Sequence, residues 1–190
     1  MAYLNRTQLE NINFKRLGNN VKISDKASIY NAELIELGDN TRIDDFCIVS
    51  GRVVMGKYCH ITPMCLVAGG IPGIFLSDFC TFAYGVKAFA QSDDYSGLTL
   101  TNSLISKKYK NEILKKISIG RHAIIGAASI ILPGVDIAEG CSFGAMTLIN
   151  KSTSPWGIYV GTPARRLKDR KKDMLDLEKK FLLEIANDPV

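Results

Sequence analysis

Histidine is scarce. The 190 residues contain only His60 and His122, so no site needing three imidazoles can come from one chain. Tryptophan occurs once. No apolar run approaches the roughly 18 residues of a membrane-crossing helix. Residues 1–20 are polar and lack the apolar stretch of a secretory leader. There is no Gly-x-Gly-x-x-Gly, no P-loop and no Cys-x-x-Cys zinc pattern. Aromatic residues are not interleaved with basic ones as single-strand nucleic-acid binders require. Cysteine is present five times, an odd number that excludes a fully paired disulfide framework. These absences point to a reducing, cytoplasmic setting.

What remains is the composition of one globular unit with a sizeable core. The chain is 46% hydrophobic and 23% charged, too apolar for disorder. The net charge of +5 is unevenly spread. Residues 165–172 hold six basic residues and one acidic one, and residues 107–116 hold five lysines and one glutamate. The rest of the chain is net acidic. The protein therefore carries two local positive patches, each suited to an anionic ligand group.

A period of six organises the chain. Aliphatic or aromatic residues recur at Leu37, Ile43, Val49, Met55, Ile61 and Val67. After a skip of three residues the series resumes at Leu76, Phe82 and Ala88. It returns at Ile119, Ile125, Ile131, Ile137, Phe143 and Ile149. Four residues after most of these stands a small or β-branched side chain, and all five cysteines (Cys47, Cys59, Cys65, Cys80, Cys141) occupy that position. The two positions are two residues apart, so in a strand they face the same side. Each hexad thus reads as a short strand with one small and one large inward residue, followed by a turn. Three hexads close an 18-residue triangular coil, and coils stack at about 4.8 Å. Counting in threes gives three columns: Leu37–Met55–Leu76–Ile119–Ile137, Ile43–Ile61–Phe82–Ile125–Phe143 and Val49–Val67–Ala88–Ile131–Ile149. Both interruptions preserve the columns, which places the insertions at turns.

An earlier run, Ile23, Ile29 and Ile35, is offset by two. Ile23 is followed by Ala27, but Ile29 is followed by Glu33, which is costly inside. Ala32 is the expected filler there, and the phase is read from Ile35 onward. Outside the repeat, Thr7-Gln8-Leu9-Glu10 reads as an N-cap and short helix within residues 1–20. Residues 89–116 form an inserted loop in the β-helix of residues 21–167. Residues 168–190 read as a C-terminal helix with an apolar face of Met174, Leu175, Leu177, Phe181, Leu182 and Ile185.

The pattern over residues 20–167 resembles the hexapeptide-repeat family, whose fold is an all-β, left-handed parallel β-helix. The final hexads end in Gly161-Thr162-Pro163-Ala164-Arg165. They are similar to the C-terminal half of acetyl-CoA-dependent acyltransferases of that family. Ser92-Asp93-Asp94-Tyr95-Ser96-Gly97, followed by Leu100-Thr101-Asn102, resembles acetyltransferases of bacterial surface-polysaccharide gene clusters. That branch is similar to the galactoside, maltose and nodulation acetyltransferases. The resemblance implies transfer from acetyl-CoA to a sugar or nucleotide-linked sugar in O-antigen or capsule biosynthesis. It also implies a homotrimer with active sites between subunits. CoA contacts are expected at Ala127, Ala145, Lys151, Pro163, Arg165 and Arg166. Acceptor contacts are expected at Tyr95, Ser92, Asn102 and Tyr84.

In the galactoside group the equivalent loop carries the catalytic histidine, and here residues 89–116 contain none. Attack by a sugar hydroxyl on a thioester needs a base, which contributes about 10²–10⁴-fold. His60, pointing outward in a column with Arg42, Thr81, Ile124 and Ser142, is the candidate. His122 reads as a solvated turn residue. Asp93 and Asp94 would orient the imidazole of a neighbouring chain or bind the acceptor. If the acceptor is an amine, N-acetylation would need no essential base. A non-catalytic scaffold is the other alternative. No metal is expected, and no cysteine is needed as an acyl carrier.

Overall fold

A computed structural model describes residues 2–187. Its core is a parallel β-solenoid with three faces, and the backbone pairing reproduces all three columns. On the first face Leu37 pairs with Met55, Met55 with Leu76, Leu76 with Ile119 and Ile119 with Ile137. On the second, Ile43, Ile61, Phe82, Ile125 and Phe143 follow one another. On the third the order is Val49, Val67, Ala88, Ile131 and Ile149. On the second face the two-residue strands at Arg42–Ile43, His60–Ile61 and Thr81–Phe82 bury their second residue and turn their first outward. The inward residues fill a narrow prism whose free cysteines are all buried.

The N-terminal coil shows where the early phase slips. Leu17 pairs with Leu37, Ile23 with Ile43 and Ile29 with Val49. Ile35 pairs with Val53 and so takes the small-residue position. Ala32 is not the filler. It opens a short 3-10 turn, Ala32–Leu34, that leaves Glu33 in solvent. Helix α1 covers the open end of the prism over Arg6–Asn11 and buries Leu9. Its N-cap is Asn5 rather than Thr7. The Asn5 side chain accepts from the Gln8 amide while the Gln8 side chain accepts from the Asn5 amide, a reciprocal capping box.

The three-residue skip lies at one corner. Strands Ile48–Met55 and Leu66–Leu76 run through two faces without a break. Gly51 pairs with Gly70, and the register shifts on both sides of Gly51. A Cβ on Gly51 would lie 2.5 Å from the Gly70 amide, and its φ is +70°, so two glycine backbones touch where the extra residues loop out. The long insertion is not structureless. Gln91–Ser92 and Ile113–Leu114 form an antiparallel hairpin base, and the chain re-enters the first face at Ile117–Ile119 beside Leu76.

The C-terminal helix begins later than its composition suggests. Residues Arg165–Asp169 form an antiparallel strand against Gly157–Val160. Helix α2 then spans Met174–Asn187. The expected residues 188–190 lie outside the described part. No helix among the described residues is long and apolar enough to cross a membrane.

Candidate active site

Three cavities that share lining residues lie along the third face. The first is a groove of about 260 Å³ at the corner between the second and third faces, lined by Ala128, Ile130, Met146, Thr147, Leu148 and Thr162. The second, about 390 Å³, shares Ile130 with it and adds Phe89, Leu132, Pro133, Tyr95, Gln91, Ser92 and Asp93. The third, about 340 Å³, shares Gln91, Ser92 and Asp93 and adds Ser50, Ala68, Gly70 and Glu112. Taken in that order they run from the Thr162 turn to the inserted hairpin.

The hairpin end is acidic. The Lys110 ammonium, its side chain only 6% exposed, lies 2.9 Å from Glu112 and 3.8 Å from Asp93. Gln91 also donates to Glu112 at 3.0 Å. The hydrogen bond from Lys110 holds the Glu112 carboxyl below its ordinary range, so it is charged at neutral pH. Two carboxylates that line this cavity, Asp93 and Glu112, thus share Lys110.

Asp93 and Ser92 line the second and third cavities, with Tyr95 on the rim of the second, 91% exposed. Asp94 has partners within its own loop. Its oxygens accept from the Ser96 amide, the Ser96 hydroxyl and the Thr99 hydroxyl, each at 2.9 Å. Those bonds, the backbone one first, hold its carboxyl low and fix the loop. Asn102 accepts from the Leu104 amide in a turn and lines none of the three cavities. Tyr84 stands exposed on the corner beside Gly85.

The corner groove is lined by Ala128 and Met146, each one residue beyond the expected Ala127 and Ala145. The turns stack directly, with the Met146 amide donating to the Ala127 carbonyl at 2.7 Å. Thr162 donates to the Met146 carbonyl, and Pro163 and Arg165 follow it, exposed. Lys151 is exposed on a different corner, after Ile149. Arg166 is committed to the fold. Its guanidinium donates to Asp169 at 2.7 Å and to Tyr159 and the Ser154 and Pro155 carbonyls.

His60 lies on the second face, with Arg42 and Thr81 on either side. The structure adds a partner. Its Nε2 is 2.8 Å from Oδ2 of Asp44, whose side chain is only 3% exposed. Arg42 Nε donates to Asp44 Oδ1 at 2.6 Å and Nη2 to Oδ2 at 3.2 Å. Tyr3 donates more distantly, at 3.4 Å. Burial alone would raise the Asp44 pKa. The Arg42 and His60 hydrogen bonds outweigh it and hold the carboxyl below its usual range. None of the three cavities contains His60, and no hydrogen bond joins it to Asp93, Asp94 or Tyr95 within one chain.

His122 is not a solvated turn residue. Helix α2 covers it. Its side chain is 4% exposed and pairs with Glu178 at 2.8 Å, while Arg121 binds the same carboxylate. Its ring stacks on Phe79, which stacks on Tyr58, and Phe181 of α2 meets both at their edges. This residue anchors the helix and faces none of the three cavities. Among the described residues no group of three or more His, Cys, Asp or Glu side chains is placed to hold a metal.

Hexad strands, paired glycine turns and a polar hairpin inserted at a corner define the class, and full-length relatives agree. The chain belongs to the hexapeptide-repeat acyltransferases and is an acyltransferase. It is 37% identical over 184 residues to an Escherichia coli dTDP-4-amino-4,6-dideoxy-D-glucose acyltransferase, with 95% of each chain covered. It is 44% identical to a variant of AntD, an N-acyltransferase from Bacillus cereus, in a crystal structure with dTDP-4-amino-4,6-dideoxyglucose and CoA. There the TM-score is 0.95, covering 96% of this chain and 98% of that one. AntD with dTDP and 3-hydroxybutyryl-CoA matches at 43% identity, TM-score 0.95, covering 97% of this chain and 98% of that one. A maltose O-acetyltransferase from Clostridium difficile shares the fold at 18% identity, TM-score 0.61, covering 88% of this chain and 75% of that one. No protein-family profile matches the chain.

Proposed function

We propose that this enzyme transfers an acyl group from acyl-CoA to the amine of a nucleotide-linked amino sugar. The observation that carries the reading is the 37% identity, over nearly its whole length, to an acyltransferase named for such a substrate. The acidic hairpin supports it. A cavity with two carboxylates and one lysine favours an ammonium over a neutral hydroxyl. The bound ammonium must lose a proton, to water or to the Asp93 carboxylate, before attack, since only the neutral amine is nucleophilic. CoA lies in the corner groove, its phosphates beside Arg165, and the exposed lysines of residues 107–116, Lys110 excepted, face the nucleotide diphosphate. The pathway is that of a bacterial surface polysaccharide, in the reducing cytoplasm that five free thiols suit.

The active unit is a homotrimer. Phe46, Met64, Tyr84 and Met146 are all exposed on one corner, with Ala128 on the coil between Tyr84 and Met146, a row of apolar side chains that a second subunit would cover. In that assembly His60 of one chain approaches the hairpin of another.

The Asp44–His60 pair favours a second reading, O-acylation of a hydroxyl with His60 as general base. Thiol release and product mass with dTDP-4-amino-4,6-dideoxyglucose and acetyl-CoA separate the two. The amine reading expects one thiol per N-acylated product and a His60→Ala variant that loses little turnover. Turnover of hydroxyl acceptors only, with His60→Ala down by about 10²-fold or more, would replace it with the second reading.

A further inference from the structure

We propose that Lys110 is a positioning residue that offsets Glu112, so that a single carboxylate, Asp93, holds the acceptor's ammonium loosely enough for it to shed its proton. This deepens the amine reading above and rests on it. Lys110 is a buried lysine in a loop of exposed ones. Its side chain is 6% exposed, whereas Lys107, Lys108, Lys115 and Lys116 are all in solvent. Burying an ammonium is costly unless it is paired, and here the pairing is unequal. Glu112 Oε1 accepts from Lys110 at 2.9 Å and from Gln91 at 3.0 Å. Asp93 Oδ1 lies 3.8 Å from the same ammonium, beyond hydrogen-bond distance. The Ser92 hydroxyl donates to the Asp93 backbone carbonyl, not to its carboxylate.

The two carboxylates also differ in place. Of the three cavities Glu112 lines only the one at the hairpin, while Asp93 lines both that one and the middle one. Lys110 lines neither. It borders a separate cavity of about 420 Å³ formed by residues 97–100 and 108–110, so its ammonium reaches the carboxylates from behind. The titratable side chains lining the hairpin and middle cavities are Asp93, Glu112 and Tyr95, and the solenoid residues opposite, Ser50, Ala68 and Gly70, carry no charge. The Lys110 hydrogen bond, with a weaker and more distant pull from Lys107, also keeps Glu112 ionised, so the offset holds at neutral pH.

The chemistry needs such an offset. An opposite charge within about 4–6 Å makes an ammonium keep its proton to higher pH. Two unbalanced carboxylates would therefore bind the acceptor well and leave it unreactive, since binding the ground state alone does not raise kcat. With Glu112 offset, the ammonium gives one proton to Asp93 or to water. The neutral nitrogen attacks the thioester carbonyl, a C–N bond forms and the C–S bond breaks. The nitrogen's second proton passes to the departing thiolate, which leaves an amide and the CoA thiol.

Steady-state kinetics against pH, with dTDP-4-amino-4,6-dideoxyglucose and acetyl-CoA, test the idea. Lys110→Met should lower the acceptor KM, lower kcat about 10-fold at neutral pH and move the rising limb of kcat up by about one pH unit. Glu112→Gln, whose amide oxygen can still accept from Lys110 and Gln91, should raise the acceptor KM and move the limb down. The double variant should return to the parent profile, and Lys110→Arg should keep it. A raised KM in Lys110→Met with its limb unmoved would show that the lysine only braces the loop, and would overturn the proposal. If Lys110→Met does not fold, Glu112→Gln decides alone, and a limb that stays or moves up overturns it. No N-acylation by the parent enzyme would reject the amine reading and the role of Lys110 together. N-acylation with the limb unmoved in both single variants would reject the role of Lys110 only.

Discussion

Asp44 and His60 meet one coil apart, Oδ2 to Nε2 at 2.8 Å, with Asp44 buried and its other oxygen held by Arg42. The carboxylate is what lets a cation and an imidazole stack on adjacent strands of one sheet. Its folded pKa lies below the ordinary value. A depressed carboxyl stabilises the fold above its unfolded pKa, near 4, and the contribution disappears as pH falls through the folded value. Asp44→Asn should therefore lower the melting temperature at neutral pH and flatten its decline below about pH 4. Arg42 and His60 keep 42% and 35% of their side chains exposed, so the loss is that of a charge-assisted hydrogen bond, about 1.5–3 kcal/mol. A variant whose Tm–pH curve parallels the parent's below pH 4 would show that Asp44 contributes no linkage.

The columns were legible because their period is rigid. An inward position recurs every six residues and a neighbour every eighteen, so agreement in all three columns from Leu37 to Ile149 leaves no competing register. The Asn5 cap and the Ile35 shift were less legible, because short polar segments fit several local phases. Asp44 was missed for a plainer reason. In the sequence it is one of many acids after a hexad, like Asp45 or Asp25, and only depth distinguishes it. A usable signal was present, an acid two residues past Arg42, itself eighteen before His60. His122 was misread because its cover, Glu178, comes from 56 residues further along. Local pattern does not reveal which turns a distant helix will cover.

The thiols offer a direct check of the columns. Cys59 donates to the Ser77 carbonyl at 3.1 Å and Cys80 to the Gly120 carbonyl at 3.3 Å. Contact with Cys59, then burial, pushes the Cys80 thiol up, away from the reactive thiolate. Labelling of native protein with a maleimide should be slow at all five cysteines and fast in denaturant. Rapid native labelling of Cys59 or Cys80, located by peptide mass, would break the assigned register.

Arg165 and Arg166 are adjacent but should behave differently. Arg165 makes one weak bond, to the Ala164 carbonyl at 3.4 Å, and its guanidinium is available to a phosphate. Arg166 is already tied to Asp169, Tyr159 and two carbonyls. A charge-assisted hydrogen bond is worth about 1.5–3 kcal/mol, so Arg165→Ala should weaken CoA binding roughly 10-fold or more by calorimetry. Arg166→Ala should weaken it less and lower the melting temperature more. The reverse order would move the phosphate site to Arg166.

Glycine positions discriminate between a crowded corner and an open one. Down one corner run Tyr58, Phe79, His122, Gly140 and Trp156, all with positive φ. Gly140 interrupts the row of rings, and a Cβ there would sit 2.3 Å from Cδ2 of the Trp156 indole. The Gly140 carbonyl also accepts from Arg170, which leads into α2. Gly134 has a similar positive φ, but a Cβ there would meet only the Lys115 side chain, at 2.9 Å, and that flexible chain can swing aside. Gly134→Ala therefore carries mainly the left-handed backbone cost, about 1 kcal/mol. Gly140→Ala adds displacement of a packed indole, about 1–3 kcal/mol more, and disturbs the surface on which α2 rests. Denaturant melts should rank Gly140→Ala well below Gly134→Ala, and limited proteolysis should cut Gly140→Ala first within residues 170–187. Equal stability of the two variants would mean that Trp156 does not pack over Gly140.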